Sequence, residues 1–350
     1  MKPNVGDEDR LQFKRWNYVS FTDDKFFVGA ALVKFSYISD IFLYIVDRET
    51  KEQFTYTARM PPGLGVHAAY SSVQGCSTWG TPKPSVSELA SPWIELCGTE
   101  KDGFRFRANV PVKSERNSTK VFQARMDVTL LNRDFDDFIL AYPLNGDHNR
   151  LVYVHKLAGV PLSSDSMLKL YGNDEHRFQK GLGGLDWTKG NLNYRTVWRW
   201  VSLNARVRMT RSGKTEQEVN LGINLSQDVY DIVDESGKVF STENSIWVDG
   251  KAYPLSVPIE VTVPANPGSD VWTIRSAQNS VGQNLDLQFQ PFGTREDHSD
   301  FGVIVSDFVQ PYGLFKGTIE LKDPQTGDKI SIKIVEGKAF GVVENHVAYW

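Results

Sequence analysis

Carboxylates beside tryptophan are the residues of this sequence best suited to chemistry. Asp186 leads into Trp187 within Leu185-Asp186-Trp187-Thr188-Lys189-Gly190, and Arg195-Thr196-Val197-Trp198-Arg199-Trp200 follows shortly after. A carboxylic acid against aromatic surface is poorly hydrated, the setting in which such a group hands on a proton. A second carboxylate, Glu243, precedes Asn244 and the apolar run Ile246-Trp247-Val248. Asn224 alternates with aliphatic residues in Asn220-Leu221-Gly222-Ile223-Asn224-Leu225, and His346 closes Glu344-Asn345-His346 near the terminus.

Asp186 and Glu243 are therefore the candidate proton donors, and Arg195 the group to hold an anion or a carbonyl. Trp187, Trp198 and Trp200 would shape an apolar cavity, with Asn224, Asn244 and His346 as polar contacts to its occupant. Each has a plainer alternative. An aspartate in a turn often bonds its own backbone, tryptophans fill cores, and buried amides and imidazoles serve structural networks.

Other chemistries find no support. There is no G-x-x-x-x-G-K-[ST] loop and no G-x-S-x-G elbow, and the glycines of Gly181-Leu182-Gly183-Gly184 lack dinucleotide-site spacing. The six histidines form no H-x-H or H-x-x-x-H pair, and Cys76 and Cys97 are too few for a disulfide framework. No metal and no cofactor is expected, and the cysteines read as two buried thiols. A net charge of −4 over 350 residues argues against a nucleic-acid partner. No apolar run is long enough for a membrane helix, and the opening residues lack the apolar core of an export signal, so a cytoplasmic protein is expected.

These residues must be positioned by strands. In residues 122–130 every even position is apolar and every odd one polar, and 284–290 and 329–334 alternate likewise. Ser212-Gly213, Glu235-Ser236-Gly237, Asp249-Gly250 and residues 324–328 supply tight turns between such runs. Residues 61–65 and 81–85 read as loops, and residues 164–179 as one short helix. The expected fold is all-β and antiparallel, with few short helices. Antiparallel meanders remove their edges by closing, and about eight strands make a barrel that is filled or holds one small ligand. Two domains are expected, at residues 1–160 and 161–350, the second carrying the Asp186 and Trp198 motifs.

The chain also resembles the family catalogued as domain of unknown function 2804. The resemblance runs through Phe27-Val28-Gly29-Ala30-Ala31-Leu32-Val33, Leu185-Asp186-Trp187-Thr188-Lys189-Gly190, residues 195–200, Thr242-Glu243-Asn244, Gln310-Pro311-Tyr312-Gly313 and residues 341–346. It implies a calycin-type architecture of two lipocalin-like barrels, similar to carotenoid 1,2-hydratase-type proteins that act on polyene or isoprenoid ligands. The function expected is binding of an isoprenoid, polyene or lipid in a barrel cavity, with cofactor-independent hydration, cyclisation or isomerisation if it is an enzyme. A non-catalytic carrier or sensor, and a scaffold with filled barrels, remain as alternatives.

Overall fold

The computed structural model describes residues 11–61, 64–80, 91–99, 103–147, 150–172, 174–237, 239–255, 257–276, 282–300 and 302–350. Of the loops read from proline and glycine, residues 62–63 and 81–85 lie outside the described residues. The chain forms two compact units. Unit one comprises residues 1–134, 141–156 and 160–192, and unit two comprises residues 135–140, 157–159 and 193–350. Asp186 and Trp187 thus belong to unit one, and every other candidate residue to unit two.

The architecture is antiparallel, all-β and lipocalin-like. Its first strands are β1 (Phe13–Thr22), β2 (Phe26–Phe35), β3 (Ser39–Asp47), β4 (Glu52–Met60), β5 (Val66–His67), β6 (Gly75–Trp79) and β7 (Trp93–Thr99). Next come β8 (Gly103–Ser114), β9 (Val121–Leu130), β10 (Phe138–Pro143), β11 (Leu151–Pro161), β12 (Met167–Lys169), β13 (Glu175–Arg177) and β14 (Leu182–Asn191). The order β14-β1-β2-β3-β4-β8-β7-β6-β5 runs across the first sheet, with β11 on the other side of β14 and β9 beside β8. Leu162 closes the curl. It bridges to Leu130, and its amide donates to the Gly181 carbonyl at 2.9 Å. Leu131 N–H donates to Pro161 O at 2.8 Å and Ser163 N–H to Thr129 O at 2.9 Å, so β9 is stitched to the end of β11.

Alternation sets what each face carries. On β1 the odd residues look into the curl, where Phe21 meets Phe106 at 5.7 Å and Phe178 at 5.3 Å. The alternation read over residues 122–130 is that of β9, with Ala124, Met126, Val128 and Leu130 buried. The short helix expected over residues 164–179 is not formed. β12 and β13 pair there as a hairpin, Met167 opposite Arg177, and β12 also pairs with β9. A helix would leave Leu168, Leu170 and Phe178 unable to reach the core together; extended backbone buries all three. The helical structure named among the described residues is one short 3-10 turn, Leu144–Gly146.

The second sheet contains β15 (Arg195–Arg211), β16 (Gln217–Gln227), β19 (Asn244–Val248), β20 (Lys251–Leu255), β21 (Ile259–Thr262) and β22 (Trp272–Ser276). It is completed by β23 (Asn284–Asp300), β24 (Val305–Lys322) and β25 (Lys329–Tyr349), in the order β20-β19-β16-β15-β25-β24-β23-β22-β21. The strands β17 (Ile232–Val233) and β18 (Val239–Phe240) form a separate hairpin. Register shifts at Asn204/Arg208, Pro291/Gly293 and Phe315/Gly317 mark bulges that bend the long strands, and Gly317 adopts φ +140° at one of them. One face of this sheet is an apolar core built from Val201, Leu203, Leu221, Ile246, Trp272 and Phe289 among others.

Candidate functional site

Unit one holds a charged pair inside the protein. Lys156 of β11 and Asp186 of β14 meet at 2.6 Å between Nζ and Oδ2, with side chains 4% and 10% exposed. Trp16 Nε1–H donates to the same Oδ2 at 3.4 Å, and Thr188 Oγ1–H donates to Oδ1 at 3.0 Å. The strand pattern explains the grouping. Tyr18 lies opposite Asp186 and Trp16 opposite Thr188, so these four share one face of the sheet. That face continues through Ala31 of β2 to Phe42 of β3, whose ring lies 6.4 Å from that of Tyr18. Trp16 is half-buried, while Asp186, Tyr18 and Thr188 are buried.

Trp187 does not join this group. Its side chain follows the odd face, stacking edge-on with Tyr153 at 5.7 Å and lying 5.3 Å from Lys189 Nζ. Asp186 is not in a turn either; it is the fifth residue of β14, all of whose residues are buried. Lys156 Nζ, the Trp16 indole N–H and the Thr188 hydroxyl all donate to Asp186.

Unit two gathers the remaining candidates, with one exception. The register sets Trp198 opposite His346 and Trp200 opposite Glu344. Glu344 accepts Trp198 Nε1–H at 2.6 Å and Gln310 Nε2–H at 2.7 Å. The Trp198 and His346 rings are 4.2 Å apart, and His346 Nε2 is 2.8 Å from Ser306 Oγ. Among the described residues His346 Nδ1 is buried with no hydrogen-bond partner, and it lies 3.9 Å from Glu344 Oε1. Burial pulls the His346 imidazole down to about 3, with Asp297 opposing and Arg295 reinforcing that shift, so the ring is neutral near pH 7.

Next to this cluster, Trp200 Nε1–H donates to Asn224 Oδ1 at 2.7 Å, and Asn224 Nδ2–H donates to the Glu243 carbonyl at 2.8 Å. Asn244 Oδ1 accepts Ser226 N–H at 2.6 Å, and Asn244 also bonds Ser241. Arg195 is the exception. It is exposed on the opposite face of β15 and donates from Nε to Tyr349 Oη at 3.2 Å, away from Trp198 and Trp200. The tryptophans themselves were expected to point into a barrel. The apolar core of unit two takes Val201, Leu203 and Ala205 from β15, and the even residues Trp198, Trp200 and Ser202 occupy the other face.

Sequence reasoning missed Lys156, Ser306 and Gln310. The one available signal for Lys156 was a lysine inside the apolar run Leu151-Val152-Tyr153-Val154-His155-Lys156-Leu157. It also missed the bond between Cys76 and Cys97, which are not free thiols but a disulfide. The two cysteines lie directly opposite each other on β6 and β7, a proximity that a separation of 21 residues does not reveal.

Fold and site together define an all-β, lipocalin-like protein with buried polar clusters on sheet faces. The chain belongs to the family described as Domain of unknown function (DUF2804), whose match spans residues 2–350. Among solved structures it is similar to kievitone hydratase from Nectria haematococca, at 11% identity and a TM-score of 0.42, covering 94% of this chain and 88% of that one. It is also similar to CghA, in a structure with Sch210972 at 7% identity and TM-score 0.41, and in another at 8% and 0.42. In both CghA cases 96% of this chain and 88% of the other are covered. The curated proteins include no match.

Proposed function

We propose that the chain is a cofactor-independent acid–base catalyst acting on an apolar small molecule, with Lys156 and Asp186 as its proton-handling pair. The observation that carries this reading is the pair itself: two opposite charges 2.6 Å apart and almost wholly out of water, beside the half-buried indole of Trp16. Burying each ion costs several kcal/mol, and apolar side chains of similar volume would hold a sheet at least as well. A buried pair beside aromatic surface therefore argues for use rather than for stability. Asp186 acts as base and Lys156 as acid, so a proton leaves one atom of the substrate and another is delivered nearby. Hydration, elimination, cyclisation and isomerisation all need that and no electron transfer. The half-buried Trp16 offers flat apolar surface to an isoprenoid, polyene or lipid, and an indole face stabilises developing positive charge.

A second reading takes the proton-handling group from unit two. What favours it is the Nδ1 of His346, buried and unpartnered among the described residues, beside a Glu344 oriented by Trp198 and Gln310. Trp200, Asn224, Asn244 and Glu243 would then contact the substrate, and Arg195 would serve only at the exposed edge.

Extraction of the protein purified from its own source into organic solvent, followed by mass spectrometry, should yield an apolar compound. Supplied back, that compound should be converted by the wild type and by His346→Gln, and roughly 10²–10⁴-fold more slowly by Asp186→Asn. Loss of conversion in His346→Gln alone selects the second reading. Binding without conversion by the wild type leaves a carrier, and an empty protein discards both catalytic readings.

A further inference from the structure

Strands β6 and β7 carry a cluster that the proposed chemistry does not use. Cys76 and Cys97 are directly opposed there, their Cα atoms 4.0 Å apart, and joined as a disulfide. Glu95 stands two residues before Cys97 and so on the same face of β7. One carboxylate oxygen of Glu95 and the two sulfurs all lie within 4.8 Å of one another. Glu95 is buried, only 8% exposed. Both bonds it takes from Arg107 fall on Oε1, one from Nε at 2.9 Å and one from Nη2. The guanidinium thus fixes the carboxylate plane and leaves Oε2 outside its grip.

The geometry points to a redox-gated metal site: when the disulfide is reduced, the thiolates of Cys76 and Cys97 and the carboxylate of Glu95 bind one divalent cation of the zinc type. Two sulfurs and one oxygen fill three of the four tetrahedral positions such an ion takes, and water fills the fourth. Thiolates select this class of ion over magnesium or calcium. The charges also balance, since two thiolates and a carboxylate against a divalent ion leave one negative charge, and Arg107 supplies one positive charge. Arg107 then acts as the outer partner that orients a ligating carboxylate.

The chemistry closes with one co-reactant, a dithiol. A dithiol reductant gives two electrons and two protons to the Cys76–Cys97 bond and becomes a disulfide itself, leaving two thiols. The cation then displaces the two thiol protons. A disulfide oxidant reverses both steps: it takes the two electrons from the thiolates and two protons from water to become a dithiol, the ion is released and the Cys76–Cys97 bond re-forms, so the ion and the sulfur–sulfur bond exclude each other.

The test is a Co²⁺ titration of the full chain, reduced with dithiothreitol and desalted without oxygen. One equivalent should bind, with a thiolate-to-cobalt charge-transfer band and the visible bands of a tetrahedral ion. The oxidised protein should give neither. Glu95→Gln, which keeps both sulfurs, should retain the charge-transfer band at weaker affinity, and Arg107→Ala should bind about 10–100-fold more weakly. No charge-transfer band in the reduced wild type, or an equal band in Cys97→Ser, overturns the proposal. Should Cys97→Ser fail to fold, the reduced and oxidised wild type decide the matter between them.

Discussion

Removing the ammonium of Lys156 while keeping Asp186 leaves a carboxylate inside unit one with its principal counter-charge gone. Lys156→Met should therefore cost about 3–5 kcal/mol in urea denaturation, whereas Lys156→Met with Asp186→Leu should return to wild-type stability or exceed it. A double variant as unstable as the single one would mean that the pair holds the sheet together, against its use in catalysis. His346 gives a second residue-scale prediction. An unfolded histidine titrates near 6.5 and the folded one at about 3, lowered by burial. As pH falls the unfolded chain takes up the proton first, so the contribution is whole above about pH 6.5 and is lost down to about pH 3. The slope from this group approaches 1.4 kcal/mol per pH unit, and His346→Gln should flatten the stability curve in that window. Asp186 was legible because an aspartate before tryptophan is conspicuous. Its partner was not, because the sequence does not reveal that β11 lies beside β14.

At the scale of elements, turn chemistry and alternation were read with most success. Asp249 and Gly250 have φ of +47° and +86° and join β19 to β20 with Val248 opposite Lys251, a two-residue hairpin of the kind that Asp-Gly favours. What alternation could not supply was which face looks inward. A period of two is blind to that choice, and the tryptophans of β15 took the face away from the apolar core. Gly29 exposes a constraint of the same kind. A Cβ added there would lie 2.7–2.8 Å from the ring and hydroxyl of Tyr44, which is fully buried and cannot yield. Gly29→Ala should cost about 1–3 kcal/mol through overpacking. Combining it with Tyr44→Leu should recover part of that loss, and thermal melts of the two variants would check it.

For the whole molecule, composition and the all-β reading carried over to the structure, and so did membership of the family. The partition of roles did not. Both motifs were assigned to one domain, yet Asp186 belongs with unit one and Trp198 with unit two. The reason is topological, since β14 pairs with the first strand of the chain, Tyr18 opposite Asp186, across more than half of unit one's sequence. No described helix is long and apolar enough to cross a membrane. The Cys76–Cys97 bond weighs against reading a cytosolic address from the cysteines, because such bonds persist mainly in oxidising compartments.

The late return of β14 to β1 also sets a timetable for synthesis. A nascent chain carries β1 out of the ribosome with one edge unpaired, and nothing made before residue 182 covers it in the native register. Pairings so distant in sequence form slowly, and an open edge attracts other chains meanwhile. Unit one therefore becomes complete only after the stretch bearing Asp186 has emerged, so the residue proposed for catalysis is carried on the strand that finishes the fold.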